Sequence, residues 1–575
     1  MWRSAKVGLA IFALVLVGLL SVRFHLISQG TVAANELGAN VNVLTHHNNN
    51  ARTGANLQET VLNTRNVNAK QFGKLFERAV DGDIYAQPLY VSHLNIPGKG
   101  TRNVVFVATM HNSVYCFDAD DPTANQPYWQ VNCGPSVPAR YIGGVEIKRE
   151  VGITSTPVID LKTGTLYAVA RTCEPQLNLY VGARHDWTVN RLHAFDIATG
   201  SKKSGDGILI QAQVPGTGRG SINGVVHLFH SNQLQRAGLL LCNGVLYLGF
   251  GAQHNDEGTY QGWVLAYDAA TLRQVGVFCS TPDGNQGGIW QSGNGLAADD
   301  KGNIYVVASN GTTTVTHGGR DIGCGILRLR LASGLTSVST SEANGAHNRL
   351  HLADWFAPYN YEGINEHDVD LCSGTLLVPH TNLLVVGCKD QNLYVLNRQH
   401  LGYWHRGNNS NIVQCFRADE SATRSLTFWN SPETGPTLYI WSEMDYLKAF
   451  KLEGGKLQTT PIAHSPMRGG DGMSGGFLSV SANENQSGTG IVWASLPAFG
   501  DPNKYTVPGV LRAFDASDVS HQLWSSKQNE ARDDVGNFAK FCPPTVANGK
   551  VYLATFSKKL VVYGLLSHQG NSFNL

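Results

Sequence analysis

The sequence predicts an all-β protein, a β-propeller with eight blades and with seven as the alternative count. Two observations support this prediction. A unit of three short apolar strands recurs about eight times between residues 85 and 566. The chain also has 63 glycines and only 15% charged residues, which suits many tight turns. One all-β unit repeated at intervals of roughly 45 to 80 residues closes most naturally into a propeller.

The repeat is clearest between residues 156 and 196. A first strand, Thr156–Asp160, turns through glycine into a second strand, Leu166–Ala170, and a third follows at Leu192–Asp196. Second strands often carry Tyr or Phe, and third strands often end in Asp or Asn. Further second strands begin at Val105, Leu246, Ile304 and Val551, and further third strands begin at Val114, Val264, Leu393, Leu447, Leu511 and Leu560.

These repeats divide the chain into blades. The first strands begin near Gln87, Thr156, Gly238, Gly295, Gly374, Pro432, Gly476 and Pro543. Residues 72–80 alternate like a strand but precede the first repeat, while the last repeat ends at Leu566 without an outer strand. We therefore expect the N-terminal strand to complete the last blade, which leaves no open sheet edge where the ring closes.

Length and charge fit one large domain. The repeats occupy most of the 575 residues, so we expect a propeller at residues 71–566. A linker and polar segment at 35–70 would precede it, and a tail at 567–575 would follow. The net charge is +1 and no basic stripe is visible, which argues against nucleic acid as a partner.

The N-terminus has the pattern of an export signal. Residues 7–22 are uncharged and apolar and follow Arg3 and Lys6, the charge order of a secretory leader. Residues 1–34 are therefore either a signal peptide or an uncleaved membrane anchor, because the run is nearly long enough to span a bilayer. Both alternatives predict an exported protein, which is periplasmic, at the cell surface or secreted.

The turn after one third strand resembles that of a known family. Residues 194–200, Ala-Phe-Asp-Ile-Ala-Thr-Gly, resemble the Ala-x-Asp-x-x-Thr-Gly segment of the repeats in pyrroloquinoline quinone (PQQ) dehydrogenases. Asp118 with Trp129 and Asp515 with Trp524 resemble looser copies, in which each Asp can cap its own turn. At the level of the fold, most of the chain is similar to exported quinoprotein alcohol dehydrogenase-like propellers. The resemblance implies PQQ and calcium as cofactors.

The same resemblance defines what catalysis would require. True quinoprotein alcohol dehydrogenases have adjacent cysteines near the quinone, a tryptophan floor, and Glu, Asn and Asp around calcium. No two of the ten cysteines are adjacent here. Quinone chemistry needs a cation to polarise the cofactor and a base beside it. Only the likeness of fold therefore supports an enzymatic function at this point.

The mouth of the central channel is the expected ligand site, because the residues entering each innermost strand converge there. Tryptophans, amides, hydroxyls and an arginine at such a mouth suit a planar cofactor or a sugar. The alternative for the tryptophans is packing between blades. The predicted ligand-binding residues are Tyr85, Gln87, Thr154, Arg236, Trp290, Trp429 and Asn430.

Metal ligands and catalytic residues are predicted from acidic and histidine pairs. Asp368 and Asp370 flank one residue, so on a strand both carboxylates face the same way and suit calcium or a catalytic role. Loop capping is the alternative for both. His46 is a further metal candidate, although His46 and His47 point to opposite faces of an extended segment.

Two further motifs leave alternatives open. His254, Asp256 and Glu257 form either a ligand cluster or a hairpin loop. Cys372 and Cys388 are the best pair for a disulfide, which an exported chain permits.

The sequence therefore predicts an exported propeller that binds a small molecule, a glycan or an envelope protein at its channel mouth. The competing hypothesis is a PQQ- and calcium-dependent dehydrogenase of alcohols or sugars. A cell-envelope interaction scaffold is another alternative, as is a carbohydrate-active lyase or hydrolase. We expect a monomer.

Overall fold

The structure is a computed structural model. It describes residues 39–567 except 143–145, 178, 182–183, 254–257, 333–349, 370, 372–373, 422–424, 471 and 473–474. The predicted leader at 1–34, Asp370, Cys372 and the 254–257 cluster lie outside the described residues. Within the described part of the chain, no helix has the length and the apolar run that crossing a bilayer requires.

Eight antiparallel sheets follow one another along the chain, so the predicted eight-bladed propeller is confirmed and the seven-bladed alternative is wrong. Three strands precede the first repeat: β1 (Asn42–Val43), β2 (Ala55–Asn56) and β3 (Phe72–Ala79). Blade 1 consists of β4 (Leu89–Ile96), β5 (Gly100–Ala108), β6 (Ser113–Asp118) and β7 (Trp129–Asn132). A small hairpin follows, β8 (Val137–Pro138) with β9 (Glu150–Val151).

Blades 2 and 3 contain the longest insertions of short strands. Blade 2 consists of β10 (Val158–Asp160), β11 (Thr165–Cys173), β14 (Thr188–Asp196) and β15 (Ile208–Leu209). The hairpin β12 (Leu179–Val181) and β13 (Arg184–Asp186) lies between β11 and β14, and β16 (Gln213–Pro215) pairs with β17 (Val225–His227). Blade 3 consists of β18 (Gln233–Leu234), β19 (Leu240–Cys242), β20 (Val245–Ala252), β21 (Trp263–Asp268) and β22 (Gln274–Cys279).

Blades 4 to 6 continue the same order. Blade 4 consists of β23 (Ala297–Ala298), β24 (Ile304–Ala308), β25 (Gly325–Leu331) and β26 (Leu350–Phe356). After helix α1 (Tyr361–Glu366), blade 5 consists of β27 (Thr375–Leu377), β28 (Leu383–Gly387), β29 (Asn392–Asn397) and β30 (Gln414–Arg417). Blade 6 consists of β31 (Leu426–Ser431), β32 (Gly435–Trp441), β33 (Tyr446–Glu453), β34 (Lys456–Leu457) and β35 (Ala463–Arg468).

The last two blades complete the ring. Blade 7 consists of β36 (Phe477–Ser481), β37 (Ile491–Pro497), β38 (Gly509–Asp515) and β39 (Gln522–Ser525), and helix α2 (Glu530–Asp533) follows. Blade 8 consists of β40 (Thr545–Ala547), β41 (Lys550–Ala554) and β42 (Lys559–Leu565), with β3 as its outermost strand. β3 is antiparallel to β42, from Phe72 opposite Leu565 to Ala79 opposite Lys559. The predicted closure by the N-terminal strand is therefore confirmed.

Buried apolar side chains fill the spaces between neighbouring blades. Trp129 of blade 1 donates from Nε1 to the Ile197 carbonyl of blade 2 at 3.0 Å. Its ring packs against Gly200, where a Cβ would lie 2.7 Å from the indole, so glycine permits this approach. In blade 1, Asp118 accepts hydrogen bonds from the next turn's amides, the capping role expected for that position. The repeat residues thus stabilise turns and join blades.

Residues 41–59, hereafter the inner ring segment, line the channel and contact the innermost strand of every blade. β1 pairs with β4 in blade 1, and β2 runs parallel to β36 in blade 7. The backbone amides of blades 2, 4, 5 and 6 donate to the segment's carbonyls at 2.8–2.9 Å, from Ile159 to Leu44, Ala298 to Asn50, Leu377 to Ala51 and Phe428 to Thr53. Thr45 and Asn56 reach carbonyls of blades 3 and 8. The sequence placed this segment before the propeller, whereas the structure makes it part of the core.

Candidate functional site

The two ends of the channel differ. The entry face is the end at which the chain enters the innermost strands, and the turn face is the end at which those strands turn into the second strands. The inner ring segment contacts several innermost strands near their last residues, such as Ile159, Ala298 and Val480. It therefore lies toward the turn face and leaves a pocket above it at the entry face.

This mouth pocket is formed by segments that precede innermost strands, together with one loop and the inner ring segment. The empty space among its atoms is about 360 Å³ including the open side, but it is so narrow that only about one water molecule fits inside. Five blades contribute to it. The lining residues are His46, Tyr85, Ile147, Thr154, Thr156, Arg236, Gly238, Ser292, Gly293, Asn294, Lys540 and Phe541.

Two cationic side chains are buried in this pocket. The side chain of Arg236 is 8% exposed, and its Nη2 donates to Glu146 Oε2 at 2.9 Å. Its guanidinium carbon also lies 5.1 Å from the centre of the Trp290 ring. Lys540 is 1% exposed, and its ammonium lies 5.6 Å from the centre of the Phe541 ring. Buried cations that face a cavity attract an anionic group, because little water screens them.

His46 forms the floor of the pocket. Its Nδ1 lies 2.9 Å from Thr156 Oγ1, which also accepts a hydrogen bond from the Gln87 amide. Burial, followed by the neighbouring His47 and Arg52, holds the pKa of His46 well below its usual value. The floor is therefore a neutral imidazole at neutral pH.

The wall residues Tyr85 and Phe541 are held firmly. Burial raises the pKa of the Tyr85 phenol, so the hydroxyl keeps its proton and is a hydrogen-bond donor. The Tyr85 ring packs 4.3 Å from that of Phe556. Phe541 has a φ of +67°, a left-handed conformation that a bulky residue rarely adopts. Such strain persists only where the surroundings enforce it, and it often marks functional sites.

The structure brings together part of the predicted ligand set. Tyr85, Thr154 and Arg236 line the mouth pocket, and Trp290 packs beside Arg236 at its edge. Gln87 is deeper, where its side-chain oxygen accepts from the His47 amide at 2.9 Å and its amide donates to Thr545 Oγ1 at 3.1 Å. Gln87 therefore links the inner ring segment to blades 1 and 8.

Trp429 and Asn430 do not join the pocket. The innermost strand of blade 6 is Leu426–Ser431, so the sequence boundary near Pro432 was placed too late. Trp429 is 2% exposed, packs between blades 6 and 7, and donates from Nε1 to the Glu484 carbonyl at 3.2 Å. Asn430 is exposed beside the hairpin turn on the opposite face. Trp429 therefore packs between blades, which was the alternative stated for the tryptophans.

Asp368 is on the surface rather than in the pocket. Its carboxylate pairs with Lys389 Nζ at 2.8 Å and accepts from Asn310 Nδ2 at 2.8 Å, and the side chain is 67% exposed. Among the described residues, no three His, Cys, Asp or Glu side chains cluster as metal ligands would. His46, the other described metal candidate, accordingly has no acidic or histidine cluster around it.

PQQ with calcium does not fit the described channel. The enclosed space holds about one water molecule, whereas the cofactor is a rigid fused-ring system. Calcium requires several carboxylate or carbonyl oxygens, but no Asp or Glu is among the described lining residues, and Glu146 beside the pocket is paired with Arg236. His46 and Arg52 of the inner ring segment fill the channel below. We therefore derive no reaction step through this cofactor.

Several pocket residues were not singled out from the sequence. Ser292, Lys540 and Phe541 precede innermost strands as Tyr85 does, and the rule of converging entry segments includes them, but they were not among the predicted ligand-binding residues. Ile147 and Glu146 lie in the loop between blades 1 and 2, where no pattern in the sequence distinguishes them. Their role depends on how that loop folds over the mouth.

No family model matches the sequence, and no curated protein matches it. Among solved structures, the chain is similar to a quinohemoprotein alcohol dehydrogenase from Pseudomonas putida HK5, with 13% identity, 91% of this chain and 80% of that chain covered, and a TM-score of 0.52. A quinohemoprotein alcohol dehydrogenase from Comamonas testosteroni is 12% identical, with 92% of this chain and 81% of that chain covered and a TM-score of 0.49. BamB from Moraxella catarrhalis is 12% identical, with 86% of this chain and 99% of that chain covered and a TM-score of 0.42. Of these three structures, the first has a TM-score above 0.5, and at 13% identity it supports the fold alone.

Proposed function

We propose that this propeller is an exported binding protein whose mouth pocket takes the acid group of a small organic acid. The observation that carries the proposal is the convergence of Arg236 and Lys540 on one narrow pocket. These two side chains come from segments more than three hundred positions apart in the chain and are both buried. Two cations beside one cavity favour an anionic group there, because little water screens their charge.

The polar lining of the pocket supports recognition of an acid group. Among the described residues that line the pocket, no Asp or Glu is present. Glu146 lies behind Arg236 and neutralises one of the two cations. The Tyr85 hydroxyl can donate a hydrogen bond to the same acid group.

The walls support an apolar body for the ligand. Tyr85, Ile147 and Phe541 present rings and an aliphatic side chain to the pocket. Aromatic side chains combine apolar contact area with a defined geometry. The acid group would lie at the open side of the pocket, and the remainder of the ligand would rest on the entry face. Export, and a tether if the leader is retained, remain part of the proposal on the strength of the N-terminal charge pattern.

The test is calorimetric titration of the protein with benzoate and with benzamide, its neutral counterpart of similar shape. We expect benzoate to bind at least ten-fold more tightly, and Arg236→Gln to reduce its affinity about ten-fold. Glu146→Gln removes the competing carboxylate, so it should increase benzoate affinity several-fold. Higher salt should weaken binding only modestly, because the cations are buried.

Arg140→Gln is the matched control, since Arg140 is an exposed cation in the same loop as Glu146. It should leave the affinity unchanged. Equal binding of benzoate and benzamide would refute recognition of the acid group. Unchanged benzoate affinity in the Arg236→Gln and Glu146→Gln proteins would place the ligand elsewhere and end the proposal.

A further inference from the structure

A second cavity lies on the turn face, between blades 4 and 5. Its volume is about 340 Å³, which is the size of a site for a small ligand. It is lined by the first turn of blade 4, by β24 and β25, and by two turns of blade 5. The lining residues of this blade 4–5 groove are Asp299, Asp300, Lys301, Asn303, Tyr305, Arg328, Arg330, Asn382, Arg398 and Gln399.

The base of the groove is held rigidly. Asp299 accepts hydrogen bonds from the Lys301 and Asn303 amides at 3.0 and 2.9 Å. Its second oxygen accepts from Asn303 Nδ2 at 2.7 Å and from the Tyr305 hydroxyl at 3.0 Å. The Asp299 carboxylate is therefore occupied by its own turn and is not available to a ligand.

Arg328 ties the two blades together beneath the groove. Its Nη1 donates to the Arg398 carbonyl at 2.6 Å and to the Gln399 carbonyl at 3.1 Å. Its Nη2 lies 3.3 Å from Asp354 Oδ2, a carboxylate that is buried. The Arg328 guanidinium is hydrogen-bonded within the protein, so it fixes the position of the blade 5 turn instead of binding a ligand.

Other polar groups of the groove are available. Within the described chain, the side chains of Lys301 and Arg330 make no hydrogen bond or ion pair, and both residues are exposed. The Asn382, Gln399 and Asp300 side chains likewise make no hydrogen bond to described residues. Two free cations, two carboxamides and one carboxylate thus surround a preformed cavity on a rigid base.

We propose that the blade 4–5 groove binds an acidic sugar, a hydroxyl-rich ligand with one carboxylate. Lys301 and Arg330 would pair with the carboxylate, and Arg330 can do so through two parallel hydrogen bonds. Asn382, Gln399 and Asp300 supply donors and acceptors of the kind that sugar hydroxyls require. Asp300 beside the cations disfavours a dense polyanion such as nucleic acid. The groove is on the opposite face from the mouth pocket, so this site is independent of the proposed function.

The experiment is calorimetric titration of the protein with D-glucuronate, D-glucose and sodium sulfate in separate runs. We expect glucuronate to bind, and glucose and sulfate to bind at least ten-fold more weakly. Glucose lacks the carboxylate, and sulfate lacks the sugar hydroxyls. Lys301→Gln and Arg330→Gln should each lower glucuronate affinity five-fold or more. Raising the salt from 20 to 300 mM should weaken binding several-fold, since these cations are exposed.

Arg273→Gln is the matched control, because Arg273 is an exposed cation at the corresponding turn face of blade 3. It should bind glucuronate as the wild-type protein does, and so should Arg236→Gln in the mouth pocket. Sulfate binding as tightly as glucuronate would reduce the groove to a general anion site and overturn the sugar assignment. Absence of glucuronate binding, or binding unaffected by Lys301→Gln and Arg330→Gln, would overturn the proposal entirely.

Discussion

The inner ring segment and β3 are neighbours in sequence, but they stabilise the propeller in different ways. β3 is a strand of eight residues that pairs with β42 at the outer edge of blade 8, with a register shift between Lys74 and Phe76. The inner ring segment visits all eight blades and gives each of them only a few hydrogen bonds. One closes the ring at its rim, and the other holds the blades together at its centre.

The difference shows two solutions to the same problem. A propeller of separate sheets has few covalent constraints between blades, so interactions that cross blades must keep it together. β3 does this at one junction through strand pairing and a buried apolar face. The inner ring segment does it at all junctions through isolated polar contacts, and its His47, Asn48 and Arg52 adopt left-handed backbone conformations that permit the tight turns.

The strongest test of the central contribution is Arg52→Met. Arg52 is fully buried, and its guanidinium donates to the carbonyls of His46, Leu239 and Leu296 and to Thr45 Oγ1. Removing it leaves several buried acceptors without donors, and each such loss costs about 1 to 3 kcal/mol. We expect a loss of about 5 kcal/mol in the free energy of unfolding, measured by guanidinium denaturation.

Arg65→Met is the control for Arg52→Met, because Arg65 is exposed in the same N-terminal stretch. It should change the free energy of unfolding by less than about 0.5 kcal/mol. If Arg52→Met unfolded at the same denaturant concentration as the wild-type protein, the inner ring segment would not be part of the stable core.

The matching test of the rim is Phe72→Ala. The Phe72 ring is buried at the start of β3, 5.3 Å from the Trp493 ring and 5.0 Å from the Trp524 ring. Replacing a buried Phe by Ala leaves a cavity and typically costs about 3 to 5 kcal/mol. We expect about 4 kcal/mol by the same denaturation experiment. Leu57→Ala, at a site that is 40% exposed, should cost much less, and an equal loss in both variants would contradict the description of β3 as the closing strand.

The sequence predicted β3 but not the inner ring segment, and the reason is physical. The alternation of residues 72–80 in the sequence is typical of a strand, whose neighbouring side chains point to opposite faces. Successive residues of the inner ring segment meet different blades, so no period of two or 3.6 appears. Its polar composition resembles that of a linker, and only the structure shows that its backbone carbonyls and the Arg52 guanidinium hydrogen-bond to the blades. A segment that satisfies hydrogen bonds one at a time leaves no pattern to detect.

The candidate site was predictable to a similar extent. The rule that entry segments converge at the mouth correctly placed Tyr85, Thr154 and Arg236 in one pocket. It failed for Trp429 because the strand boundary of blade 6 was displaced by several residues, which moved the residue to the opposite end of its strand. The blade 4–5 groove could not be predicted, since turns from two blades combine only after the ring has formed.

The smallest effect that still separates the two regions is the pH dependence of the inner ring segment. Burial, together with Arg52, lowers the pKa of His47 from 6.5 to about 4. In the unfolded chain this imidazole gains a proton as the pH falls below 6.5, while in the folded chain it stays neutral, so acidification favours unfolding. The contribution is complete above pH 6.5 and is lost as the pH falls from 6.5 to 4. Between pH 7 and pH 5, His47 should reduce the free energy of unfolding by about 2 kcal/mol.

His47→Asn isolates this contribution, because Asn tolerates the left-handed backbone that His47 adopts at a φ of +52°. The variant should lose about 2 kcal/mol less stability than the wild-type protein between pH 7 and pH 5, in parallel denaturation curves. Phe72→Ala removes no titratable group, so its curve should keep the wild-type pH dependence at a lower stability. Identical pH dependence in His47→Asn and wild type would show that His47 is protonated or solvated in the folded protein. The inner ring segment would then be open to water at its centre, unlike the sealed rim at β3.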